Sequence, residues 1–360
     1  MNNMNKTKTL LVMAGGTGGH VFPGLAVADK LKSEGWQVSW LGTAARMEAR
    51  LVPEHGYEID FIDVAGVRGN GIKRLLAAPF QILKSIFQAR KVLKNRQVDL
   101  VLGMGGFASG PGGIAAWTLG IPVVLHEQNA TAGMTNRLLS YFSKKVLMGF
   151  SGAFLNEKAI LVGNPIRKDL LALPEKQFSA SSSSLRVLVI GGSLGAQVLN
   201  ETVPQALMNF DATKVSILHQ TGKGFSESVL ARYEETQVEY KVQDFITDMA
   251  AAYDWADVII CRAGALTVAE VAVVGLPAIF VPLPHAVDDH QTKNAQSLVN
   301  AEAAILLPQK DLNAKKLSEC LATLSQNRQL LVDMSTNCKN IAIRNATEQV
   351  AAVCNSLVKI

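Results

Sequence analysis

The sequence predicts a two-domain α/β protein, each domain a parallel sheet covered by helices. Three observations predict it. Short runs rich in β-branched and leucine residues alternate with stretches of helical periodicity in both halves of the chain. The alternation breaks at Leu173-Pro174 and the serine-rich run 179–184, then restarts at residue 186. In both halves the first strand-like run ends in a glycine loop that opens a helix, Gly15-Gly16-Thr17-Gly18-Gly19 and Gly191-Gly192-Ser193-Leu194-Gly195.

Taken in order, residues 9–14, 37–41, 99–102, 122–125 and 145–148 read as strands of the first domain. Residues 186–190, 215–219, 238–242, 258–261 and 278–281 read as strands of the second. The expected division is a first domain over 1–168, a linker over 169–185 and a second domain over 186–340. Two similar α/β halves of this kind suggest Rossmann-like domains that face each other across a cleft and close on a ligand.

Composition limits the alternatives. A chain of 360 residues can bury two cores, and 48% hydrophobic residues with 18% charged ones is a globular balance. The longest apolar stretches, near 114–125 and 271–283, are broken by Gly or Pro and fall short of the roughly 20 residues a membrane-spanning helix needs. Residues 1–8 are polar and lead into a strand without a small-residue cleavage site, so the cytoplasm is the expected compartment. Cys261, Cys320, Cys338 and Cys354 form no C-x-x-C pair and read as reduced and structural. No Asp-x-Asp and no His or Cys cluster at metal spacing occurs, so no metal is expected to hold a diphosphate.

The chemistry is carried by glycine. A glycine loop between a strand and a helix lets backbone N–H groups and the positive helix terminus approach an anion, phosphate being the natural one. Each loop alone also fits a tight strand-to-helix turn, and neither matches G-x-G-x-x-G. A third glycine-rich segment, 103–113, follows another strand, and three such loops at strand ends point to one crevice for phosphate-bearing substrates. His20 follows the first loop, where a neutral imidazole can take a proton from a hydroxyl or simply bond a nearby backbone group. Glu270, in the first turns of a helix after Cys261, is either a solvated acid favoured by the helix dipole or a carboxylate that accepts two bonds from a ribose diol.

Together, residues 15–23, 103–113, His126-Glu127-Gln128-Asn129, Val162-Gly163-Asn164-Pro165-Ile166-Arg167, 264–270 and Asp288-Asp289-His290-Gln291-Thr292 resemble one family, in order and over nearly the whole chain. It is that of the undecaprenyldiphospho-muramoylpentapeptide β-N-acetylglucosaminyltransferases of peptidoglycan synthesis. The resemblance implies the glycosyltransferase B fold of two Rossmann-like domains. It also implies inverting, metal-independent transfer of N-acetylglucosamine from UDP-N-acetylglucosamine to lipid I, giving lipid II and UDP. No covalent nucleophile is then needed, only a base and a stabilised leaving group.

By this resemblance Thr17, Gly18, Gly19, Asn129 and Arg167 belong to the donor pocket. With them go Ser193 at the diphosphate, Ile246 at the uracil, the run Ala265, Leu266, Thr267, Val268, Ala269 and Glu270 around the ribose, and Gln291 at the sugar hydroxyls. Gly15, Gly16, Gly105 and Gly106 would receive the acceptor diphosphate, and His20 is the candidate base. Leu194 stands where family members commonly carry Gln. The helical tail, about 341–360, would cross back onto the first domain.

Between Asp63 and Asp99 there is no acid, while Arg68, Lys73, Arg74, Lys84, Arg90, Lys91, Lys94 and Arg96 supply positive charge. Within it, Ile72, Leu75, Leu76, Phe80, Leu83, Ile86 and Phe87 recur at near-helical spacing. The pattern fits a core-facing helix, and for an enzyme of a lipid-linked acceptor it fits a membrane patch of Ile72, Lys73, Arg74, Leu75, Leu76 and Phe80, in the part broken by Pro79. Expected partners are therefore UDP-N-acetylglucosamine, lipid I, the anionic cytoplasmic face of the inner membrane and cell-wall or division proteins, with no cofactor and no nucleic acid. Competing readings are a glycolipid synthase, a sugar epimerase, a nicotinamide-dependent oxidoreductase and a non-catalytic scaffold.

Overall fold

The computed structural model describes residues 7–64, 71–178, 184–192, 195–284 and 289–358, with the backbone alone for 71–78. The chain forms two compact units, residues 1–167 with 345–360 and residues 168–344. In the first, the chain runs β1 (Thr9–Ala14), α1 (Gly18–Ser33), β2 (Gln37–Gly42), α2 (Glu48–Glu54), β3 (Glu58–Phe61), α3 (Gly71–Asn95), β4 (Leu100–Gly105), α4 (Ser109–Thr118), β5 (Val123–Glu127), α5 (Met134–Ser140), β6 (Lys145–Met148) and β7 (Ala159–Leu161). The second holds α6 (Lys168–Leu171), β8 (Leu185–Ile190), α7 (Gln197–Leu207), β9 (Val215–Gln220), α8 (Ser226–Tyr233), β10 (Glu239–Gln243), α9 (Met249–Trp255), β11 (Val258–Cys261), α10 (Ala265–Val274), β12 (Ala278–Phe280), α11 (His290–Asn300), β13 (Ala304–Leu306), α12 (Ala314–Gln326) and α13 (Arg328–Ile341). A last helix, α14 (Ala346–Leu357), belongs to the first unit.

Every strand pair is parallel, and the orders are β3-β2-β1-β4-β5-β6-β7 and β10-β9-β8-β11-β12-β13. Both faces of such a sheet are covered, so its central strands are continuous apolar runs: all of β1 and β4 is buried. In each unit the first strand is central and the order reverses beside it, between β1 and β4 and between β8 and β11. These reversals are where an open α/β sheet leaves a crevice at its strand C-termini.

Three short strands, β3, β7 and β13, were not expected. β3 and β7 lie at sheet edges with residues only partly buried, so they lack the apolar run that marks a central strand. Residues 169–178, read as the start of the linker, dock on the second unit instead. Leu170 is buried, and the Lys176 ammonium donates to the carbonyls of Asp254 and Ala256 at the end of α9. The rest of the serine run, 179–183, lies outside the described residues. α14 packs against α1: Val350, Ala351 and Cys354 share a buried cluster with Val21, Leu25 and Ala28, and the Trp36 indole N–H donates to Asn355 Oδ1 at 2.9 Å.

Helix α3 continues through Pro79, which does not break it. Beyond Pro79 the apolar stripe divides. Ile86, Ala89 and Leu93 turn inward, while Phe80, Leu83 and Phe87 face solvent at 76%, 53% and 68% exposure. Part of the basic charge is neutralised by acids from β3 and just after it: Arg96 pairs with Glu58 and Asp60, and Lys84 with Asp63 at 2.8 Å. The side chains of Ile72, Lys73, Arg74, Leu75 and Leu76 lie outside the described residues. Among the described residues no helix is long and apolar enough to cross a membrane.

Candidate functional site

In the first unit the loops after β1 and β4 flank the sheet reversal and touch each other through their backbones. A Cβ on Gly106 would lie 2.5 Å from the Gly15 carbonyl oxygen, and Gly106 has φ +94°, so only glycine fits on both counts. Gly15 is held as closely on its other side by Glu48, which no sequence motif marked. This carboxylate, 1% exposed, accepts from the Gly16 amide at 2.9 Å and from the amide and hydroxyl of Thr43 at 3.1 and 2.7 Å. Helix α1 begins after Thr17 with no side-chain cap, so its first N–H groups, at Gly18 and Gly19, point into the loop region unclaimed by a cap.

His20 sits one turn into α1 against the second loop, its ring beside Gly105. Its Nδ1 is 3.1 Å from Gln128 Oε1, and Gln128 Nε2 donates to the Met104 carbonyl at 2.8 Å. Burial holds its pKa below the ordinary 6.5, against the opposing pull of Glu127, the bonds to Gln128 and Met104, and Glu48. Next to it, Glu127 organises the turn after β5 by accepting from the Asn129 amide and side chain, the Gly133 amide and the Asn136 side chain at 2.9–3.2 Å. Asn129 is thus oriented by Glu127. Arg167 places its guanidinium 5.9 Å from the centre of the Phe22 ring. Gly15, Gly16, Thr17, Gly18, Gly19, His20, Gly105 and Gly106 are therefore brought to one end of one sheet.

In the second unit the glycine loop after β8 presses on the backbone that follows β9. Gly195 has φ +73°, and a Cβ there would lie 2.1 Å from the Thr221 carbonyl oxygen. Ser193 and Leu194 lie outside the described residues. Gln220, at the end of β9, spans the opening: its Oε1 accepts from the Ile246 amide at 3.1 Å and its Nε2 donates to the Gly192 carbonyl at 3.4 Å. The Ile246 amide is therefore already engaged by a side chain that sequence reasoning missed. Helix α10 begins after Gly264 without a side-chain cap. Along its start Leu266, Thr267 and Ala269 are partly exposed, whereas Val268 is fully buried and turns toward the core.

Glu270 is 8% exposed and accepts from the Tyr253 hydroxyl at 3.1 Å, so it is not a solvated surface acid. Gln291 Oε1 accepts from the Leu283 amide at 2.8 Å, and Asn294 Nδ2 donates to the Ala263 carbonyl, which ties α11 to the loop before α10. Arg262 fixes the neighbouring strand end through the carbonyls of Val281 and Pro282 and through Gln309 Oε1. Asp288 lies outside the described residues. A cavity of about 640 Å³ opens under α9 on the face of β8, β9 and β10 and includes Ile246 alone of the expected donor residues.

Two glycine-loop units of one architecture, each with an uncapped helix start at its sheet reversal, suit a nucleotide-sugar enzyme. Residues 10–148 match the glycosyltransferase family 28 N-terminal domain, and residues 186–350 match the family's C-terminal domain. The chain belongs to glycosyltransferase family 28.

Family 28 membership sets the fold as glycosyltransferase B, two parallel-sheet α/β domains, and the activity class as glycosyl transfer. The chain is 68% identical, over 99% of its length and 100% of the relative's, to a Psychromonas ingrahamii protein. That protein is named UDP-N-acetylglucosamine–N-acetylmuramyl-(pentapeptide) pyrophosphoryl-undecaprenol N-acetylglucosamine transferase. An Aeromonas hydrophila protein of the same name is 57% identical over 98% of this chain and 97% of its own. Among solved structures, Acinetobacter baumannii MurG matches with TM-score 0.83 and 43% identity, covering 97% of this chain and 99% of that one. A UDP-GlcNAc 2-epimerase from Neisseria meningitidis matches at TM-score 0.67 and 14% identity, a likeness of fold alone.

Proposed function

We propose that this chain transfers N-acetylglucosamine from UDP-N-acetylglucosamine to undecaprenyl-diphospho-N-acetylmuramoyl-pentapeptide, forming lipid II and releasing UDP. The observation that carries the proposal is the 68% identity, end to end, to a transferase named for that reaction. Inversion follows from a single displacement. An acceptor hydroxyl attacks the anomeric carbon, its proton passes to a base, and the bond to UDP breaks on the opposite face.

His20 is the base in this reading, since burial keeps its imidazole neutral and able to accept. The Gly15, Gly16, Gly105 and Gly106 backbone, with the α1 terminus, receives the acceptor diphosphate. At the donor, Glu270 accepts from the ribose diol, and its bond to the Tyr253 hydroxyl fixes the carboxylate plane. The uncapped starts of α7 and α10 offer N–H groups and dipole charge to the departing diphosphate, work that a metal does in other transferases. A uracil carbonyl would take over the Ile246 amide that Gln220 now holds, and Gln291 would read sugar hydroxyls.

The lipid-linked acceptor calls for peripheral binding at the cytoplasmic face of the membrane. Phe80, Leu83 and Phe87, one face of α3 turned to solvent beside Lys84 and Lys91, support that reading.

The deciding experiment is transfer of labelled N-acetylglucosamine to a lipid I analogue with EDTA present and UDP-glucose and UDP-galactose as control donors. Label in lipid from UDP-N-acetylglucosamine only is the expected result. Saturable UDP binding without transfer would overturn the acceptor assignment and leave the donor site standing.

A further inference from the structure

The reaction needs more of His20 than neutrality. A neutral imidazole carries one proton on either of two nitrogens, and only the bare nitrogen can act as base; the hydrogen bond made by the other one decides which it is. Here that bond leads to Gln128, whose side-chain amide orientation is fixed by its second partner. The Met104 carbonyl oxygen can only accept, so the amide atom 2.8 Å from it is Nε2, and Oε1 is the atom facing His20 Nδ1 at 3.1 Å. An acceptor at that place requires Nδ1 to donate.

We infer that Gln128 is a positioning residue that holds the His20 ring in its Nδ1–H form and so leaves Nε2 as the atom that receives the acceptor's proton. This rests on the reading of His20 as base. The rest of the ring's surroundings agree with it: its hydrogen-bond partners, Gln128 Oε1 at Nδ1 and the Met104 carbonyl, are both acceptors, and Nε2 is not among the buried polar atoms that lack a partner.

Gln128 is placed to impose the choice. It is 2% exposed and sits at the end of β5, its carbonyl accepting from Asn164 Nδ2 at 3.0 Å, while Glu127 beside it clamps the following turn. The titratable groups around the His20 ring are Glu127, Glu48 and His126. His126 is engaged elsewhere, its Nε2 bonded to the Gly163 carbonyl at 2.9 Å, so it does not compete for Gln128. In water the Nε2–H form of a neutral histidine is the more populated one, so losing Gln128, which both accepts from the ring and holds the Met104 carbonyl beside it, would shift the ring toward presenting a proton where the reaction needs a lone pair.

The first test needs no variant. In protein labelled with ¹⁵N at histidine, with the His20 signals assigned by their loss in His20→Gln, Nδ1 should carry the proton and Nε2 should show the shift of a bare ring nitrogen at pH 8. In Gln128→Met, similar in volume and without an acceptor, the His20 signals should move toward the Nε2–H form. Its kcat should fall roughly 10- to 100-fold with the KM for UDP-N-acetylglucosamine unchanged. An Nε2–H ring in the unsubstituted enzyme, or an unchanged tautomer in Gln128→Met, would overturn the inference. Full turnover by His20→Gln would instead overturn the base assignment, and with it any part for Gln128 in catalysis, whatever the tautomer.

Discussion

Two side chains carry different parts of the proposed reaction, and kinetics separates them. In the proposed reaction Glu270 would bind the donor in ground state and transition state alike, so Glu270→Ala should raise the KM for UDP-N-acetylglucosamine by about 10-fold or more with a smaller change in kcat. As the proposed base His20 would act only in the chemical step, so His20→Gln should lower kcat by about 10²- to 10⁴-fold at nearly constant KM. A steady-state comparison of both variants checks this, and reversed patterns would exchange their roles. The sign of the pH effect follows from burial. The base works deprotonated and its pKa is lowered from 6.5, so activity should persist below pH 6.5 and fall as pH drops through the lower value. An acid limb of kcat above pH 7 would contradict the burial of His20. Gly16, Gly105, Gly106 and Gly195 were legible in the sequence because their positive φ favours glycine. The parts played by Glu48, Gln128, Gln220 and Tyr253 were not, since each acts on a partner that the fold brings from a distant stretch of chain, Gly16, His20, Ile246 and Glu270 respectively.

At the scale of elements, the apolar runs of β1, β4, β8 and β11 announced a covered parallel sheet, whereas the short, partly exposed strands β7 and β13 carry too little pattern to be read. Pro79 misled for a related reason: its ring is exposed, so α3 accommodates it on the solvent side. Contact between glycine loops gives a graded prediction. Gly56→Ala strains a φ of +76° with nothing within 4 Å of the new Cβ and should cost about 1–2 kcal/mol. Gly106→Ala adds a collision with the Gly15 backbone, so it should lower the midpoint of thermal unfolding further and abolish transfer. Equal unfolding shifts in calorimetry would show that the two loops do not press on each other as described. For α3, Leu83→Ser with Phe87→Ser should weaken flotation with anionic vesicles while leaving UDP affinity unchanged; unaltered flotation would remove the membrane role of this face.

For the whole molecule, each unit buries a neutral histidine with a strongly lowered pKa, His126 at about 4 and His219 at about 3, both because burial disfavours the charged ring. His219 lies between the Tyr233 hydroxyl and Asn200 Oδ1 at 2.9 and 3.1 Å. The unfolded chain takes up these protons near pH 6.5 and the folded one does not, so stability is full above that pH and declines as pH falls toward 4. For His126 alone the loss across that window is roughly 3 kcal/mol. Unfolding temperature measured from pH 8 to pH 4.5 should be level at first and then fall through the histidine range; a level curve down to pH 4.5 would mean that these rings are not held neutral. The return of α14 to the first unit bears on how the protein is made. Residues 168–344 form an uninterrupted unit and can close as soon as they clear the ribosome, but the α1 surface that receives Val350, Ala351 and Cys354 stays open until the whole of that second unit has been translated. The domain begun first is thus finished second, and for that interval the apolar face of α1 is left uncovered.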